Sequence, residues 1–159
     1  MPISEVSAAE GGRFRRIVLV SLLAALLGCG RGVLEPEPVP LNQVACARCG
    51  MVVSREADSA EWVARGEDPR FYDDIGCLAT DDLPFRDRSA RFVHVGSRWE
   101  EAETVFFARP AGASTPMGYG VIACASRQEA AARDRANRAR TWAELVRELR
   151  AEAPGGPPG

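Results

Sequence analysis

The chain has 159 residues, with 20 basic against 22 acidic side chains and a formal charge of −2. That balance supplies neither the electrostatic footprint of a nucleic-acid binder nor adhesion to anionic lipid. Every basic residue is an arginine, a bias assigned to a GC-rich genome before any function.

In chain order, Arg13, Arg15 and Arg16 come first and precede the apolar run Ile17 to Leu27, broken only by Ser21. The run is too short to span a bilayer, so residues 1–28 read as a signal peptide. Arg15-Arg16 hints at twin-arginine export, but a generic basic leader is the simpler reading. The run closes on Leu26-Leu27-Gly28-Cys29, which resembles the lipobox of bacterial lipoproteins. Cys29 would become the lipidated first residue, tethering the chain to a membrane. Gly30 stands where an inner-membrane retention signal would place aspartate, which favours the outer membrane and a periplasm-facing domain. Loss of the leader leaves 17 basic against 20 acidic residues.

Residues 29–44 contain Pro36, Pro38 and Pro40 alternating with Glu and Val. Such a segment forms no helix and reads as an extended tether. The tail, residues 151–159, is dominated by Pro and Gly and has too little apolar surface to order itself. Between them, residues 45–150 suffice for one small core.

Within that domain Ala60 to Ala64 and Arg70 to Tyr72 read as short strands joined by the turn Gly66-Glu67-Asp68-Pro69. Asp73-Asp74 places acids at the start of a helical segment, Ile75 to Leu83. Arg91 to Val95, Thr104 to Ala108 and Tyr119 to Ala125 are β-rich. Ser126 opens a helix with a capping box to Glu129, continuing through Arg138. Trp142, Leu145, Val146 and Leu149 fall at i, i+3, i+4 and i+7 of a last helix, Trp142 to Arg150. The expected fold class is α+β, short strands with helices on one side.

Chemistry concentrates in Cys46-Ala-Arg-Cys49-Gly-Met51, two thiols and a thioether within six residues. Soft sulfur at this density suits Cu(I). The same Cys-x-x-Cys spacing also serves structural zinc, thiol–disulfide exchange and plain disulfides.

Joined to Phe71-Tyr-Asp73-Asp74-Ile-Gly-Cys77, Trp99-x-x-Ala102, Thr115-Pro-Met117-Gly118 and Gly120-Val-Ile-Ala-Cys124, the motif resembles the NosL family. Those are periplasmic lipoproteins that supply copper during assembly of nitrous oxide reductase. The resemblance runs in order from about Cys46 to Leu149, and the lipobox agrees with it. It implies two small ββαβ-like units related to the core of organomercurial lyase. It also implies a non-enzymatic Cu(I) carrier, with Cys46, Cys49, Met51 and Met117 as ligands. Asp73, Asp74 and Cys77 would support the ligands or assist metal exchange. A copper-accepting apo-enzyme or its assembly transporter would be the partner. The chain departs from the family pattern in a short segment between His94 and Trp99 and in Cys124, where phenylalanine is expected.

Each residue also has a plain alternative. Cys46 and Cys49 would form a disulfide in an oxidising periplasm. Met51 and Met117 would be packing residues. Cys77 and Cys124 would be small core hydrophobes. His94, the single histidine, shares a strand face with Phe92 and is a weak ligand signal. Two further functions compete with copper delivery. One is a thiol enzyme, either a Cys46–Cys49 oxidoreductase or a lyase using Cys77, Cys124 and Asp74. The other is a structural zinc module of Cys46, Cys49, Cys77 and Cys124. Thioredoxin-like chemistry expects a strand before the Cys-x-x-Cys and a helix after it, and a zinc ribbon expects two such knuckles. This sequence offers neither.

Overall fold

A computed structural model describes residues 33–83 and 88–152. The signal peptide, Cys29, the start of the tether and residues 153–159 lie outside the described residues. Among the described residues ten short elements follow one another, beginning with a 3-10 turn, Glu56–Asp58.

Strands β1 (Ala60–Ala64) and β2 (Arg70–Tyr72) form an antiparallel hairpin with Ala60 opposite Tyr72 and Trp62 opposite Arg70. Its turn uses Gly66 at φ +79°, a conformation glycine adopts without Cβ penalty. Helix α1 (Ile75–Thr80) follows at once, with Asp74 as its N-cap. It ends where Asp81 turns to extended backbone (φ −74°, ψ 143°), short of the expected Leu83. Strand β3 (Ser89–Val95) then returns beside β1, and β4 (Arg98–Glu101) completes an antiparallel sheet of order β2-β1-β3-β4. The β3–β4 loop has only two residues, with Gly96 at φ +65°, which accounts for the short stretch between His94 and Trp99.

A second, two-stranded sheet pairs β5 (Phe106–Ala108) with β6 (Ile122–Cys124). Helix α2 (Arg127–Arg133) and helix α3 (Trp142–Glu152) close the chain. The order is ββαβ followed by β4, then ββα. Where a second ββαβ unit would place its last strand, Arg140 makes an isolated bridge to Phe107. That part of the expectation reduces to one residue pair, because the chain there runs straight on into α3.

The α+β class is as expected. Trp62, Tyr72 and Val93 share a core with Ile75 and Leu78 of α1 and Leu145 and Leu149 of α3. Trp142 packs on Phe107 with ring centroids 5.6 Å apart. A small satellite core of Ala108, Cys124 and Ala130 sits where β5 and β6 meet α2. Helix α2 begins with the capping box, Ser126 Oγ accepting from the Glu129 amide at 3.1 Å. It stops five residues short of Arg138, because the Asp134 carboxylate draws the following chain round itself. That carboxylate accepts the amides of Ala136 and Arg138 and the Arg140 guanidinium.

The Pro-rich segment is extended, and from Glu37 it lies along the domain. The Glu37 amide donates to both oxygens of Glu61, at 3.2 and 3.0 Å, while Val39, Leu41 and Val44 pack against the main core. Among the described residues no helix is long and apolar enough to cross a membrane.

Candidate metal centre

The segment 44–53 folds into a closed loop before any regular element begins. Ala45 bridges Val52, the Val53 amide donates to Val44, and the Cys46 amide donates to the Met51 carbonyl at 2.7 Å. Gly50, at φ +76°, makes the reversal and sends its amide to the Cys46 carbonyl at 2.9 Å. The Ala47 amide bonds the Phe71 carbonyl at 2.9 Å, which fastens the loop to β2. Two residues beyond β2 the chain reaches Asp74 and α1, whose third residue is Cys77. The hairpin thus brings the Cys46–Cys49 loop against the first turn of α1.

The sulfur atoms of Cys46, Cys49 and Cys77 lie within 4.8 Å of one another. All three are free thiols. Metal–thiolate bonds of about 2.3 Å set neighbouring sulfurs of one ion about 4 Å apart, so a single ion reaches all three. Cys46 and Cys77 are buried and Cys49 is half-buried, so the cluster opens to the surface on the Cys49 side.

Cys77 is the hydrogen-bond partner that most stabilises the Cys46 thiolate; against the cost of burial, and with help from the amides of Cys49, Asp73 and Arg48, it brings Cys46 down to about 5. Cys77 moves the other way, held protonated by that same bond and by burial. Burial also raises Cys49, against the pull of the Met51 amide. At neutral pH the cluster is therefore one thiolate flanked by two thiols. A metal ion that engages all three must displace two protons.

The methionines sit at the surface and not in the core. Met51 is 52% exposed and Met117 is 38% exposed. Met51 belongs to the thiol loop itself, its carbonyl bonded to the Cys46 amide. Met117 comes from a loop between β5 and β6 that is fastened to the start of α1. There the Asp74 carboxylate accepts the Gly76 amide at 2.8 Å through one oxygen. Through the other it accepts the Thr115 hydroxyl at 2.6 Å and the Met117 amide at 3.1 Å. Tyr119 packs against Gly76, and its hydroxyl meets Thr80 Oγ at 3.2 Å. Asp73 accepts the Ser54 amide at 2.9 Å, tying down the strand that leaves Met51.

Two sequence candidates fall elsewhere. Cys124 is buried in the satellite core beside Ala108 and Ala130, so the four-cysteine zinc set and the Cys77–Cys124–Asp74 lyase set are not assembled. His94 is buried, with its ring 3.9 Å from that of Trp99, and it takes no part in the thiol cluster. Conversely, Cys77 joins the two loop thiols directly. The Asp74-Ile-Gly-Cys77 run places this cysteine in the first turn of a capped helix, and the fold alone brings that turn against the thiol loop. Thr115, Tyr119 and Gly76 carried no signal short of the fold.

A cleft of about 560 Å³ is lined by arginines and glutamates of the α2–α3 region and touches none of the cysteines. No family model, no curated protein and no solved structure matches the chain.

Proposed function

We propose that this chain binds Cu(I) and hands it to a copper-accepting apo-enzyme or to the transporter that assembles one, with nitrous oxide reductase the client its motifs suggest. The proposal includes the lipid anchor at Cys29 and a periplasm-facing domain. Thiolates of Cys46, Cys49 and Cys77 form the base of the site, and the thioethers of Met51 and Met117 form its outer rim.

The observation that carries this reading is the three-sulfur cluster, which opens on Cys49 and has methionines exposed on the two segments fastened beside it. Structural zinc takes four protein ligands, usually with cysteine or histidine completing the set. Here no fourth cysteine, histidine or acid joins the three among the described residues. Soft sulfur in low coordination suits Cu(I). Neutral thioethers add affinity without charge, so a partner's sulfur can replace them one at a time. The role is binding and transfer, with no bond of a substrate broken.

The low Cys46 pKa favours a second reading, thiol–disulfide exchange. Cys46 is 2% exposed, however, and Cys49, the more accessible thiol, is pushed up. An attacking cysteine needs the opposite arrangement.

Metal analysis of reduced protein purified without oxygen separates these readings. The expected result is one Cu(I) per chain, competing well against zinc, with binding lost in Cys46→Ser and in Cys77→Ser. Stoichiometric zinc that copper fails to displace, or redox turnover with no metal bound, sinks the copper proposal.

A further inference from the structure

We infer that Asp73 and Asp74 are positioning residues, Asp73 for the Met51 arm and Asp74 for the Met117 arm of the copper site. The inference rests on the Cu(I) reading above. Both carboxylates are buried, at 1% and 0% exposure, in a place where an unsatisfied carboxylate is costly. Their partners come from three separate stretches of chain. Asp73 takes the Ser54 amide at 2.9 Å and the Ser54 hydroxyl at 3.4 Å, three residues after Met51. Asp74 takes Gly76, Thr115 and Met117, and Thr115 Oγ in turn accepts the Gly120 amide at 3.0 Å.

Capping a helix uses one acceptor oxygen. Serine, threonine or asparagine would do it as well as aspartate. What distinguishes Asp74 is its second oxygen, which accepts the Thr115 hydroxyl and the Met117 amide and so joins the β5–β6 loop to the helix that carries Cys77. Both arms therefore reach the thiols through two adjacent carboxylates. The methionines lie 66 residues apart in the sequence, yet each is indexed to the residue pair that opens α1.

The two aspartates need different chemistry. Asp73→Ala removes the acceptor, while Asp73→Asn keeps an amide oxygen for Ser54 and restores it. Asp74→Asn keeps one oxygen only; if that oxygen caps α1, an amide N–H₂ faces the Met117 N–H. Asp74→Ser likewise preserves the cap and leaves the loop without its acceptor, which guards against a variant that fails to fold.

The test is a pair of double-mutant cycles on the full reduced chain, with Cu(I) alone as probe, titrated against a chromogenic chelator. Asp74→Asn and Asp74→Ser should each weaken binding about tenfold and remove one sulfur from the X-ray absorption shell. In either background Met117→Leu should cost less than about twofold more, because the thioether is already displaced. Asp73→Ala should couple in the same way to Met51→Leu, and Asp73→Asn should bind like the parent. The crossed pairs, Asp74 with Met51 and Asp73 with Met117, should be additive.

Costs that multiply independently within each matched pair, with the sulfur count unchanged, overturn the positioning roles and leave the copper reading standing. If neither Met51→Leu nor Met117→Leu weakens Cu(I) binding in the parent, the thioether rim itself fails, and the positioning roles fall with it.

Discussion

At the scale of single residues, the thiol cluster is an asymmetric proton store. Cys46 holds its charge from about pH 5 upward because the Cys77 thiol and the surrounding amides favour the thiolate, whereas Cys49 and Cys77 are both raised. Protons compete with metal for the last two, so affinity for Cu(I) should climb as pH rises through the neutral range. Oxidation acts on the same atoms. The three sulfurs lie within 4.8 Å, and a disulfide draws a pair of them to about 2.04 Å. Joining Cys46 to Cys49 leaves one thiol of three. Protein treated with a mild oxidant should therefore lose Cu(I) binding, regain it with reductant, and count two fewer alkylatable thiols. Retention of one tightly held Cu(I) by the oxidised form would remove that pair from the site. Local spacing marked Cys46, Cys49 and Met51, whereas Met117 entered only through the family resemblance. The sequence underrated Cys77, whose neighbours across space are supplied by the β1–β2 hairpin and not by its own flanks.

At the scale of elements, strands β1, β2 and β3 were legible because β-branched and aromatic residues cluster in them between turn residues. Strand β4, Arg-Trp-Glu-Glu, was not. Edge strands are often charged, which protects the exposed edge and erases the apolar alternation that reveals a strand. Helix α1 is the opposite case: all six of its residues are buried, so no polar face marks its period. Its start at Ile75 was legible from the acids Asp73-Asp74, not from the propensity of Gly76. Glycine in a helix ordinarily costs about 1 kcal/mol against alanine. Here a Cβ would sit 2.0 Å from the Tyr119 ring, a contact only movement of the ring or the helix could relieve. Gly76→Ala should therefore destabilise by about 1–3 kcal/mol, the usual range for overpacking, where propensity alone predicts a gain. Chemical unfolding would measure it, with Tyr119→Ala as the second member of a cycle. A Gly76→Ala variant more stable than the parent would mean that Tyr119 does not hold the loop against α1.

At the scale of the whole molecule, the four-stranded sheet separates two kinds of burial. The side carrying Trp62, Tyr72 and Val93 packs against α1 and α3, and through α1 it supports the thiols. Successive strand residues alternate between faces, so Glu61, Phe92 and His94 occupy the other side. The Pro-rich segment docks there through Glu37 and Glu61. Glu61 has an energetic consequence as well. Burial pushes it up from 4.5 to about 7, with the Glu37 amide pulling only partly the other way. The folded protein therefore keeps a proton on Glu61 that the unfolded chain releases near pH 4.5. The stabilisation linked to it is complete below pH 4.5 and is lost as the pH rises to 7. His94 has the opposite sign: burial lowers it from 6.5, so its contribution is present above that value and is lost as the pH falls. Glutamine at position 61 retains an oxygen for the Glu37 amide and has no proton to lose. Urea unfolding of parent and Glu61→Gln should thus differ little at pH 4.5. At pH 7 the variant should be ahead, by at most about 3 kcal/mol if Glu61 stays fully dehydrated. A difference that stays constant across that range would show that the Glu61 carboxylate is hydrated in the folded protein and that the docked segment does not seal this face of the sheet.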